Sequence, residues 1–130
     1  MKAMVTKELA LLYGIEEQSE RGQEIMKLLR SMRVDAKFIG EDAMGQTVGY
    51  LCGLPGYSKQ ESKIQGGFQE ELLVLCGFSG ARLNQLLGLF RTCGVRKVEL
   101  KAAVTGTNRG WTLSKLAEEI RKEHEYMKKI

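Results

Sequence analysis

Leu72-Leu73-Val74-Leu75-Cys76-Gly77-Phe78-Ser79-Gly80 decides how this chain folds. Five apolar residues follow one another without a polar break, so a strand there is buried on both faces. Gly77 closes it, and Ser79 stands where an N-cap opens a helix. Leu83, Leu86, Leu87 and Phe90 then fall at i, i+3, i+4 and i+7, one apolar stripe. Gly94 stops that helix as a glycine after a C-cap does. A weaker copy of the pattern sits near the N-terminus, at Leu9-Ala10-Leu11-Leu12-Tyr13-Gly14-Ile15.

From that first copy the chain repeats the plan. Ser19 is a candidate N-cap, and Ile25, Leu28, Leu29 and Met32 form the stripe of a helix. Val34, Ala36 and Phe38 alternate with polar residues, which marks a strand near a sheet edge. Thr47 caps a short helix over Val48 to Leu54, weakened by Gly49 and Gly53. In the second half, Val98, Leu100, Ala102 and Val104 alternate in the same way. Thr112 caps a last helix with the stripe Leu113, Leu116, Ala117 and Ile120.

Written over each other, Leu9, Leu12 and Gly14 match Leu72, Leu75 and Gly77. Leu28, Arg30 and Val34 match Leu89, Arg91 and Val95, and Thr47 and Leu51 match Thr112 and Leu116. These matches imply one domain over 1–130, built from repeated halves at 8–54 and 70–125 with a glycine-containing polar linker at 55–69. Each half is strand–helix–strand–helix, so the class is α/β, a four-stranded sheet with helices on both faces. Two strand orders fit. The preferred one is 2-1-3-4, all parallel, with equivalent helices on opposite faces; the alternative is a ferredoxin-like 4-1-3-2. In the parallel order Gly14 and Gly77 face each other across a ligand crevice at the switch point. In the other they lie at opposite ends. Either way, Ser79 and the Thr105 to Trp111 loop share one end of the sheet.

Composition bounds the function. The chain has 130 residues, 43% hydrophobic and 28% charged, with a net charge of +4. Its acids and bases are interleaved, the pattern of a solvated surface rather than a nucleic-acid footprint. No run approaches the length of a membrane helix. Met1 to Glu8 lacks the apolar core of a signal peptide. Cys52, Cys76 and Cys93 are odd in number, widely spaced and in apolar contexts, which fits buried reduced thiols in the cytoplasm.

Residues able to carry chemistry are few. Gly77-Phe78-Ser79-Gly80 could hold an anion at a helix start, but its spacing is neither a phosphate loop nor a dinucleotide fingerprint, and a glycine turn with a serine cap explains it without a ligand. Lys101 and Thr105-Gly106-Thr107-Asn108-Arg109-Gly110-Trp111 form the most unusual polar stretch, with an arginine beside the sole tryptophan. Such a pair recognises carboxylates, phosphates or partner surfaces. The bland reading is a loop that satisfies its own backbone. Gly14, Gly77, Ser79, Lys101, Thr105, Thr107, Asn108, Arg109 and Trp111 are therefore the candidate ligand-binding residues. No catalytic dyad, metal set or cofactor motif stands out, and His124 is the only histidine. The leading expectation is a non-enzymatic module binding a small anionic ligand or a protein partner. The alternatives are a small enzyme using Cys76 or Lys101, and a homodimer.

Glu71 to Ser79, Leu83-Asn84-Gln85-Leu86-Leu87, Leu100-Lys101-Ala102 and Thr107-Asn108-Arg109-Gly110-Trp111-Thr112 resemble the bacterial domain of unknown function numbered 3783. The resemblance covers about residues 70–125. Gly45-Gln46-Thr47-Val48-Gly49-Tyr50-Leu51 is similar to full-length members as well. It implies a small bacterial cytoplasmic protein, and no reaction, cofactor or catalytic residue.

Overall fold

The computed structural model describes residues 7–61 and 68–128. Part of the expected linker, residues 62–67, and most of the stretch read for a signal peptide, residues 1–6, lie outside the described residues. The elements are β1 (Leu9–Tyr13), α1 (Glu20–Ser31), β2 (Asp35–Ile39), α2 (Val48–Leu51), β3 (Leu72–Cys76), α3 (Gly80–Thr92), β4 (Leu100–Ala103) and α4 (Leu113–Lys128). Single 3-10 turns at Glu41–Ala43 and Asn108–Gly110 precede α2 and α4.

All four expected caps are made. The hydroxyl of Ser19 accepts from Gly22 N, that of Ser79 from Arg82 N, that of Thr47 from Tyr50 N and that of Thr112 from Lys115 N. Each thereby satisfies one donor that a helix start leaves unpaired. The recurring Arg-x-x-x-Val is a helix stop. Val34 N donates to Leu29 O and Val95 N to Phe90 O, both at 2.9 Å. Arg33 and Gly94, with φ of 59° and 68°, supply the left-handed residue that this turn needs.

The sheet has the order β2-β1-β3-β4, as the preferred reading expected. β1 pairs with β2 in parallel, and β3 with β4 in parallel. The expectation that all four strands are parallel is overturned, because β1 and β3 run antiparallel, with Leu9 opposite Cys76 and Tyr13 opposite Leu72. The physical reason is the length of α2. One helical turn of four residues rises ~6 Å, whereas a five-residue strand spans ~17 Å, so α2 does not carry the chain to the far end of the sheet. The chain doubles back instead. Buried Gln46, just before α2, donates to Gln60 O at 2.8 Å and accepts from Gln60 N at 2.7 Å. Phe68 is then held at the end of β1, where Tyr13 OH donates to Phe68 O at 2.7 Å. β3 starts where β1 finishes.

The helices follow from this direction. α1 and α3 share one face, over Ala10, Leu12, Leu73 and Leu75. α2 and α4 cover the other, over Leu11, Tyr13, Leu72 and Val74. The expectation that equivalent helices lie on opposite faces is thus corrected, and the two-sided burial of both central strands stands. The two strand–helix–strand–helix units hold each other by exchanged contacts. Arg21 of α1 pairs with Glu71 at 2.7 Å, and Arg82 of α3 pairs with Glu8 at 2.7 Å. Each arginine also donates to carbonyls beyond the end of the opposite helix or at its cap, Arg21 to Arg96 and Lys97, Arg82 to Met32. Across the other face, Val48 N donates to Trp111 O and Leu113 N to Gln46 O, each at 2.9 Å, pairing the two cap threonines.

Candidate functional site

Because β1 and β3 are antiparallel, Gly14 and Gly77 fall at opposite ends of the sheet, and no crevice forms between them. Both are turn glycines, with φ of 77° and 80°. Ser79 is spent as the α3 cap. The start of α3 carries Arg82, which is held by Glu8. The anion site read from Gly77 to Gly80 has no support in this geometry.

β3 and β4 being parallel, Ser79 and the Thr105 loop do follow the same end of the sheet. They serve different faces, since Ser79 opens α3 and the loop leads into α4. The loop is built largely from its own side chains. Thr105 N donates to Asn108 Oδ1 at 2.9 Å and Asn108 N to Thr105 Oγ1 at 3.1 Å. Asn108 Nδ2 donates to Ala103 O at 3.0 Å. Asn108 is buried, and each polar atom it brings inside is satisfied. Trp111 is half-buried, with Lys115 Nζ 4.6 Å from its ring centre. Arg109 is exposed and stands outside the hollow beside the loop. The arginine and the tryptophan therefore do not share that hollow.

That hollow is a groove of about 570 Å³ between β4 and α4. Lys101, Thr105, Thr107, Asn108 and Trp111 all line it, so five of the nine expected residues meet there. Its floor is apolar, from Ala102, Leu116 and Ile120, with exposed Met127 at one side. Its rim is Glu99, Glu119, Glu123 and His124. Sequence reading missed this acidic rim, although Glu119 and Glu123 sit at i and i+4 on α4, one face of a helix. Glu99 lies 3.7 Å from His124 and Glu119 3.6 Å from Lys122, both on the surface.

Lys101 projects from β4 toward α3 and reaches both faces of the sheet edge. Its Nζ donates to Val98 O at 2.9 Å. Burial, helped by the neighbouring Lys97 charge and opposed by Glu99, lowers its pKa. With Leu87, Phe90, Arg91, Val95 and Lys97 it lines a second hollow, of about 420 Å³, on the α3 side.

The cysteines also differ from expectation. Cys93 is exposed, Cys52 half-buried and Cys76 buried, and all three are free. Interaction with Cys52 lowers the Cys76 thiol to about 7 against the opposing effect of burial, and interaction with Cys76 together with burial raises that of Cys52. Among the described residues no group of histidines, cysteines and acids could hold a metal ion, and no helix is long and apolar enough to cross a membrane.

Residues 71–127 match the family described as Domain of unknown function (DUF3783). The match agrees with the resemblance read from the short motifs. It spans β3, α3, β4 and nearly all of α4, so the groove and the second hollow beside β4 are lined by residues of the matched region. Neither a curated protein nor a solved structure matches the chain.

Proposed function

We propose that this protein is a binding module without a reaction of its own, and that its β4–α4 groove takes an extended segment of a partner protein. The observation that carries the proposal is the groove itself, an apolar floor under an acidic rim beside an edge strand. Three rim glutamates disfavour a small anion and favour apolar and basic side chains. The self-satisfied loop supports binding rather than catalysis. The test is selection of phage-displayed random peptides on the wild-type protein, followed by binding to the Glu119→Lys/Glu123→Lys double variant. Recovered peptides are rich in lysine, arginine and apolar residues, and the double variant weakens them roughly tenfold, about 1.4 kcal/mol. Recovery of no peptide, or of peptides indifferent to the double variant, overturns the proposal.

A second reading, thiol chemistry, is favoured by the lowered pKa of Cys76 beside a second free thiol, Cys52. Rapid, selective alkylation of Cys76 by iodoacetamide at neutral pH supports it, and a native protein labelled only at Cys93 removes it. The exchanged ion pairs and paired cap threonines also support descent of the two units from one duplicated ancestor. A bacterial cytoplasm is the proposed setting, supported by three free thiols.

A further inference from the structure

The edge of β4 is flanked by hollows on both faces, and their charges are opposite. Val104 N donates to Leu75 O at 2.9 Å, so the backbone groups of Leu100, Ala102 and Val104 point into the sheet. Those of Lys101 and Ala103 point away from it, because alternate residues of a strand face alternate sides. Of these outward groups the Ala103 carbonyl is taken by Asn108 Nδ2. The Lys101 N–H and carbonyl and the Ala103 N–H remain directed outward. On the α4 side lies the groove rimmed by Glu99, Glu119 and Glu123. On the α3 side lies the smaller hollow edged by Arg91, Lys97 and Lys101 over Leu87, Phe90 and Val95.

We infer that the partner segment adds to β4 as a further strand, with its side chains alternating between an acidic and a basic hollow. This rests on the binding reading of the groove and specifies the partner's chemistry. Successive side chains of a strand point to opposite faces, so an added strand places odd residues in one hollow and even residues in the other. Charge complementarity then selects an apolar segment with basic residues on one parity and acidic residues on the other. A second copy of β4 is a poor occupant. Antiparallel pairing about a two-fold axis normal to the sheet sets Glu119 and Glu123 beside their own copies, and Arg91 and Lys97 likewise.

The test uses the whole chain and two labelled octapeptides of one composition, read by fluorescence anisotropy. In Lys-Val-Val-Glu-Lys-Val-Val-Glu, lysines and glutamates fall on opposite faces of a strand. In Lys-Val-Glu-Val-Lys-Val-Glu-Val they share one face. The first binds, and the second binds at least roughly tenfold more weakly. Ala103→Pro, which removes an outward N–H, weakens the first by a similar factor while the circular dichroism spectrum is unchanged. Arg91→Glu, an exposed change on α3, weakens it too and serves where the proline variant does not fold. Equal binding of the two octapeptides overturns strand addition. So does selection of peptides that depend on Glu119 and Glu123 but are indifferent to Ala103→Pro and Arg91→Glu, a result that leaves the groove reading standing. A dimer in the absence of peptide that Ala103→Pro dissociates puts a second copy on the edge and also overturns the inference.

Discussion

The two units start their second helices alike and finish them differently. Thr47 and Thr112 each cap a helix, and each is followed four residues later by a buried leucine, Leu51 and Leu116. α2 then stops after four residues, and Gly53, with φ of 74°, turns the chain away. α4 continues for sixteen residues. Its continuation runs alongside β4 and carries Leu116, Glu119, Ile120 and Glu123 along one wall of the groove. At the first unit's edge, the flank of α2 is taken by Lys37, whose Nζ donates to Leu51 O at 3.2 Å. Two units of the same plan thus differ in shape through the length of one helix. The long copy makes a wall with a recess behind it, and the short copy is only a cover for the core.

The largest effects test whether the short copy belongs to the core as fully as the long one. Leu51→Ala and Leu116→Ala each cost about 2–5 kcal/mol in urea unfolding, because both leucines are buried and each truncation leaves a cavity. A cost for Leu51 far below that for Leu116 breaks the equivalence.

Next come the exchanged ion pairs. Arg21 and Glu71 are 15% and 25% exposed at their side chains, and the arginine is bidentate. Glu71→Gln therefore costs about 1–3 kcal/mol, more than a surface pair. Glu8→Gln, opposite the more exposed Arg82, costs less. The same pairs set an acid limit. Hydrogen bonding to Arg82 holds the Glu8 carboxyl below its usual 4.5, and Arg21 does so for Glu71. Between the folded and unfolded values the unfolded chain binds more protons, so stability rises with pH across that window. The contribution is fully present above about 4.5 and is lost as pH falls through the lowered folded values. Thermal melts from pH 6 down to pH 3 show a decline that the Glu8→Gln/Glu71→Gln variant lacks in part.

A smaller effect compares the caps. Thr47→Ala and Thr112→Ala each cost about 1 kcal/mol, read as a lower melting temperature. If Thr112→Ala alone matters, the short helix is held by tertiary contacts rather than by its cap. The smallest effect is at Arg109. Arg109→Ala changes stability by less than about 0.5 kcal/mol and leaves binding of the selected peptides unchanged, since the side chain is exposed and outside the groove.

Much of the groove was legible in part. The loop that closes its end was singled out for its density of polar groups, and Lys101, Thr105, Thr107, Asn108 and Trp111 do line it. Gly14, Gly77 and Ser79 were drawn in by a crevice that needs parallel central strands, and Arg109 by its nearness in sequence to Trp111. The acidic rim was hidden because Glu119 and Glu123 read as part of a solvated helix. What changes their meaning is the edge strand beside them.

Local chemistry alone determined the elements. Unbroken apolar runs made β1 and β3 central. Ser19, Thr47, Ser79 and Thr112 opened their helices, and Arg33 and Gly94 ended two of them, because a cap or a stop depends only on a few neighbouring residues. Burial put β1 and β3 at the centre and β2 and β4 at the edges, which left two strand orders open. Strand direction was another matter. An apolar strand buries the same surface whether its neighbour runs with it or against it, so no pattern of residues reports the choice. It was decided by the path between Leu51 and Leu72, where one short helix, the Gln46–Gln60 pair and the Tyr13–Phe68 contact return the chain to the end it left. With that direction set, the crevice between the glycine turns was lost, and a recess remained beside β4.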